Sequence, residues 1–178
     1  MLKIAGVVLA VLVVGIVGVL ILAAMKPDTF RVQRTATIKA PPDKIFPLIN
    51  EFRNWTEWSP YEKKDPAMKR AMGATTGGKG ATYAWDGDKN VGQGRMEIID
   101  TAPPSKVVIK LDFLRPFEAH NTAEFTLAPK GETTDVTWAI YGPNLFVGKI
   151  MGLFINMDNM IGKDFEAGLA NLKSLSER

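Results

Sequence analysis

The sequence predicts an α+β domain in which an antiparallel sheet is covered on one face by a long C-terminal helix, preceded by an apolar N-terminal helix. Three patterns carry this expectation. Residues 81–141 alternate apolar and polar side chains with period two, residues 145–175 repeat apolar side chains every three or four positions, and residues 4–24 are apolar throughout.

From Ile4 to Ala24 the chain reads IAGVVLAVLVVGIVGVLILAA, without a charge. A helix of that length reaches about 31 Å, the hydrocarbon thickness of a bilayer. A cleaved signal peptide would have a shorter apolar core and a polar segment before the cut. The run therefore reads as an uncleaved single-pass anchor, residues 1–27, with the remaining domain spanning residues 28–178. Lys3 precedes the span and Lys26, Arg31 and Arg34 follow it, so the charge count favours a cytoplasmic C-terminal domain by a narrow margin. Phe30 to Ile38 alternates as a first strand. The prolines of APPDKIFPLINEF open a short helix, which Pro47 limits. FRNWTEWSPYEKKDP, residues 52–66, concentrates Trp55, Trp58 and Tyr61 in what otherwise reads as solvated loop. GATTGGKG, residues 73–80, reads as a flexible link.

Ala81, Tyr83 and Trp85 share one face of a hairpin that turns at residues 86–90. After the corner at Pro103-Pro104, three further strands set Val107, Ile109, Leu111 and Phe113, then Ala123, Phe125 and Leu127, then Val136, Trp138 and Ile140 on one side. The cover for that face is the segment from Leu145 to Leu175, apolar at Ile150, Phe154, Met157, Ile161, Phe165, Leu169, Leu172 and Leu175. Gly148, Gly152 and Gly162 weaken it, which predicts either a preceding short helix or a bend near Gly162.

Composition narrows the function. The chain has 178 residues, 46% hydrophobic and 23% charged, with a formal charge of +3 and acids and bases interspersed, so it offers no basic face for nucleic acid. It has no cysteine and one histidine, which excludes disulfides, thiolate nucleophiles and His-rich or Cys-based metal sites. Gly92-x-Gly94 lacks the third glycine and the strand–helix setting of a dinucleotide loop. His120 alternates to the face opposite Phe125, towards solvent and with no visible partner. Asp164 and Glu166 are two apart on a helix and do not face each other. No serine has the setting of a nucleophile elbow. No catalytic group, metal or cofactor is nominated.

Four stretches together carry a family resemblance: APPDKIFPLINEFRNWTEWSP after the first strand, Gly92-Gln-Gly94-Arg95 opening a middle strand, TDVTWAIYG as the last strand and NMDNMIGKDFEAGLANLK as the long helix. From Thr29 onward the chain resembles the START-like (SRPBCC) helix-grip superfamily, in its polyketide cyclase/dehydrase-like branch. The resemblance implies a curved antiparallel sheet wrapped around the C-terminal helix, with an apolar ligand cavity between them. The expected lining is Tyr83, Trp85, Phe113, Phe125 and Trp138 from the sheet and Phe154, Met157, Ile161 and Phe165 from the helix, with Asn121 as an uncharged polar group in the wall. Trp55 and Trp58, three apart, would share a face and close one end with Phe46 and Phe52. The expected function is binding of a hydrophobic small molecule or lipid by a domain held to the membrane through residues 4–24. The alternatives are a cyclase, dehydratase or hydrolase using the same cavity, and an interaction or stress-response module with a filled core.

Overall fold

A computed structural model describes residues 2–178; Met1, and the side chain of Lys3 on which the charge count partly rests, lie outside the described part. Contacts divide the chain into two compact units: residues 31–142 with 158–178, and residues 1–30 with 143–157.

The larger unit is built on a seven-stranded antiparallel sheet: β1 (Thr29–Ile38), β2 (Lys69–Met72), β3 (Thr82–Asp86), β4 (Gln93–Ala102), β5 (Lys106–Arg115), β6 (Ala119–Lys130) and β7 (Thr133–Pro143). The strand order is β1-β7-β6-β5-β4-β3-β2, so each strand from β2 to β7 pairs with its sequence neighbour and β1 closes onto β7. The period-two reading holds: Val107, Ile109, Ala123, Phe125, Leu127, Val136 and Trp138 are all buried. Register places Phe125 opposite both Val107 and Trp138, so one aromatic pair sits at the centre of the apolar face.

Between β1 and β2 the chain forms α2 (Pro42–Asn50), a 3-10 turn (Phe52–Asn54), α3 (Trp55–Trp58) and α4 (Pro60–Lys64). Pro42 starts α2, where its missing N–H costs nothing, and Pro47 lies inside a helix of only 9 residues. The expected flexible link at residues 73–80 is instead pinned: Phe52 N donates to Thr76 O at 2.9 Å, Gly78 N to Asn50 O at 3.0 Å, and Gly80 N to Ile98 O at 2.8 Å. Strand β2, KRAM, has no alternating pattern because it is an exposed edge strand.

The cover is α6 (Met157–Ser176), which buries Gly162, Phe165, Gly168, Leu169, Leu172 and Ser176 along one stripe. Phe165 stacks on Trp138 with centroids 4.1 Å apart and 9° between planes. Gly168 permits that approach, since a Cβ there would lie 2.7 Å from Trp138 Cζ3 and 2.9 Å from Pro60 Cδ. Of the two expected ways to interrupt the helical run, a separate short helix is the one observed: α5 (Phe146–Phe154) ends at Ile155, which is extended. Helix α6 continues through Gly162 because the Arg34 guanidinium packs over that glycine, bridging Asp158 at 2.9 Å and Glu166 at 2.7 Å.

In the smaller unit, α1 (Leu2–Ala24) contains the apolar span Ile4–Ala24, long and apolar enough to cross a membrane. Only 6% of it is covered by the rest of the chain, unlike the core helix of a soluble protein. Helix α5 belongs to this unit and packs along α1.

Candidate ligand cavity

The aromatic stretch that opens the α3–α4 region explains itself once folded. Both indole N–H groups are spent on the preceding helix: Trp55 Nε1 donates to Ile49 O and Trp58 Nε1 to Leu48 O, each at 2.8 Å. With their polar atoms satisfied, the rings enter the core. Trp55 contacts Phe52, Trp58 and Phe125 at centroid distances of 5.3, 5.0 and 5.9 Å, and Trp58 contacts Trp138 at 5.6 Å.

Beside this cluster lies a cavity of about 150 Å³. Its walls come from the sheet (Tyr83, Trp85, Met96, Leu111, Phe113, Ala123, Trp138, Ile140), from Phe165 of α6, and from Trp55, Ser59, Tyr61, Glu62 and Met68. Asn90 and Val91, in the exposed β3–β4 turn, line it as well and mark its mouth. Gly94 shapes that end, because it pairs with Trp85 across the strands and a Cβ there would collide with the indole. The Gly92-x-Gly94 pattern is thus a turn followed by a seat for a tryptophan, with Gly92 at φ +64°.

One end of the lining is polar. Tyr83 Oη donates to Glu62 Oε1 at 2.6 Å, and Arg70 Nε donates to Glu62 Oε2 at 2.6 Å. The Glu62 side chain is only 8% exposed, so this carboxylate is held by a cation and a phenol instead of water. Burial, reinforced by the Glu62 hydrogen bond and charge, pushes the Tyr83 phenol well above its usual range. Burial also raises Tyr61, with the Asp164 charge adding to it. Both phenols therefore stay protonated at neutral pH and can donate hydrogen bonds. One indole donor has no partner: Trp138 Nε1 is fully buried, closed off from the cavity that its ring helps to line. Among the described residues no three His, Asp or Glu side chains gather as a metal site.

Residues 29–177 match the model of the family described as polyketide cyclase / dehydrase and lipid transport. The chain belongs to this family. No curated protein matches it in sequence. Among solved structures, a protein from Chromobacterium violaceum superposes with TM-score 0.59 at 14% identity, over 86% of this chain and 99% of that one. The ginseng (Panax ginseng) major latex-like protein 151 gives TM-score 0.59 at 13% identity, covering 85% of this chain and all of that one. The di-domain ARO/CYC BexL from the BE-7585A biosynthetic pathway gives 0.62 at 14%, with 88% of this chain covering 53% of BexL. At such identities these similarities establish the shared fold, the helix-grip arrangement.

Within this family fold, six expected wall residues do line the cavity: Trp55, Tyr83, Trp85, Phe113, Trp138 and Phe165. The other six do not. Trp58 and Phe125 are fully buried behind the wall, in the aromatic cluster. Asn121 packs over Gly142 of the adjoining strand. Phe154 sits on α5, 74% exposed, because the helical run breaks at Ile155; Met157 and Ile161 lie on α6 off its buried stripe. His120 is exposed as expected, but it does have a partner: its Nδ1 lies 2.8 Å from Asp112 Oδ1. Asp112 is buried on the far side of β5 from Phe113, and Arg95 Nε donates to it at 3.0 Å. Sequence reasoning missed Glu62 and its partners' roles altogether. Its one clue was Tyr83, an inward phenol that must find an acceptor, and nothing in the sequence says which.

Proposed function

We propose that this chain is a membrane-tethered domain that binds a hydrophobic small molecule or lipid segment in the cavity between sheet and α6. The anchor is residues 1–27 and the binding domain residues 28–178. The observation that carries the reading is the cavity itself: apolar and aromatic walls with one polar end at Tyr83–Glu62–Arg70. Concave apolar pockets with a few fixed polar groups are the usual form of small-molecule sites.

Size narrows the ligand. A volume of about 150 Å³ is roughly ten times what one water needs and suits a single benzene-sized ring. That favours a monocyclic aromatic group or a short stretch of acyl chain over a fused polycycle, and argues against a filled core. A hydrogen-bond acceptor on the ligand would be met by the protonated phenol of Tyr61, which lines the cavity. The polyketide cyclase/dehydrase and lipid transport family supports an apolar cargo, and the uncovered span Ile4–Ala24 supports the tether.

Thermal unfolding of the full-length protein in mild detergent, titrated with toluene, p-cresol and lauric acid, tests the proposal. A saturable rise in Tm with at least one probe is expected, and it should vanish in Ala123→Leu, which fills the cavity from β6. No rise with any probe, or an equal rise in the filled variant, would refute it.

A further inference from the structure

Helix α5 is apolar nearly all the way round. Its sequence FVGKIMGLF carries one charge, Lys149. A helix with no wet face belongs either in a protein core or in lipid. It is not in a core: Phe146 is 48% exposed, Val147 55% and Phe154 74%, with Leu145 and Ile155 also exposed at its two ends. Its one charge is the residue turned inward. Lys149 is buried, with its Nζ 2.5 Å from Asp28 Oδ1.

The neighbour of α5 is the apolar span. Ile150 shares an apolar groove with Val11, Leu12, Gly15, Ile16, Val19 and Leu20 of α1, so α5 runs beside the part of α1 that a bilayer would enclose. Polar groups fasten both ends of α5 to the chain leaving that span. Asn144 Nδ2 donates to Pro27 O at 3.1 Å and its backbone N to Asp28 O at 2.7 Å, while Lys26 Nζ donates to Gly152 O at 2.9 Å. These bonds tie α5 to residues 26–28, where the Asp28 carboxylate stays exposed at the edge, while Phe146, Val147 and Phe154 present hydrocarbon outward.

We infer that α5 is a second membrane-inserted element, lying in one leaflet of the bilayer beside α1 with Phe146, Val147 and Phe154 in contact with lipid. At about 1.5 Å per residue its 9 residues reach roughly 14 Å, less than half the hydrocarbon thickness, so it enters without crossing. The bilayer is the occupant that fits because the exposed apolar surface of α5 is continuous with that of the span, and because the only charge on the helix is already neutralised. Lipid contact then involves the connection between β7 and α6 as well as the N-terminal tether. The inference rests on the proposed anchoring of α1.

The chain has no cysteine, so single introduced cysteines can be labelled cleanly. Full-length Val13→Cys (α1), Phe146→Cys and Phe154→Cys (α5) and Glu132→Cys (β6–β7 turn) would carry a nitrobenzoxadiazole label in phosphatidylcholine/phosphatidylglycerol vesicles. Near-UV circular dichroism checks that each retains the fold. All four sites are exposed on the isolated chain or lie at its surface, so the label itself should be tolerated. Blue-shifted emission at positions 13, 146 and 154, quenching there by nitroxide-labelled lipid, and several-fold weaker quenching by iodide than at position 132 are expected. If position 13 is lipid-quenched while 146 and 154 behave like 132, the insertion of α5 is wrong and the anchor stands. If position 13 is also open to iodide, both are wrong.

Discussion

Replacing Trp55 by alanine perturbs the fold and the proposed site together. The indole is 5% exposed. A buried tryptophan removes about 200 Å² from water, worth about 5 kcal/mol at about 25 cal/mol per Å². Compact unfolded chains already bury part of that area, and large-to-alanine changes in cores cost about 3–5 kcal/mol, so about 4 kcal/mol is the working figure. The Ile49 carbonyl also loses its 2.8 Å donor, a further loss of about 1 kcal/mol. With a urea slope of about 2 kcal/mol per M, the total of about 5 kcal/mol should lower the unfolding midpoint by roughly 2.5 M. Urea titration of the full-length protein in mild detergent, followed by far-UV circular dichroism, reads this directly. Trp55→Phe keeps most of the ring contacts and loses only the hydrogen bond, so its midpoint should fall by less than half as much. A shift below about 0.5 M for the alanine variant, at an unchanged slope, would refute the reasoning and return Trp55 to a peripheral role.

Other consequences follow from single contacts. Trp58→Phe orphans the Leu48 carbonyl, whereas Trp138→Phe deletes an N–H that has no partner; the second should be the milder change by about 1 kcal/mol in the same titration. Gly168→Ala drives a Cβ into Trp138 and Pro60 and should cost about 1–3 kcal/mol by overpacking. Burial alone would raise the Asp112 carboxyl, but the hydrogen bonds from His120 and Arg95 and the Lys110 charge outweigh it, so its pKa lies below the ordinary 3.8. A carboxyl depressed by folding stabilises the native state above its unfolded pKa and loses that contribution as pH falls through the folded one. Wild type should therefore lose more stability than Asp112→Asn between pH 5 and pH 2, seen as a steeper acid limb of Tm against pH, about pH 4 being where the difference opens.

The strands were legible because a sheet with one buried face imposes period two on every strand that lies across it. Tyr83, Phe113 and Trp138 could be placed from that alternation alone. Helix α6 was legible for the same kind of reason, through its stripe from Phe165 to Leu172. The break before it was not, since Ile155 and Phe154 continue the apolar spacing and only the folded chain separates a core-facing residue from an exposed one. Strand β2 was invisible because an exposed four-residue edge has no face to pattern. The polar end of the cavity was hidden for a different reason. Glu62, Arg70 and Tyr83 lie on α4, β2 and β3, and their meeting depends on tertiary folding and not on any local spacing. Trp55 and Trp58 were legible as a packed pair, but which of them touches empty space was decided by the rings behind them, Phe125 and Trp138.

Small molecules released from full-length protein purified out of membranes, compared by mass spectrometry between wild type and Ala123→Leu, test the central claim most directly. Ala123 lines the cavity and is itself buried, so the larger side chain should occupy the ligand's space. Wild type should release an apolar molecule carrying a ring or an acyl segment, at near-stoichiometric yield, and the variant should release little or none. Equal recovery from both, or an apolar cargo from neither, would contradict the account.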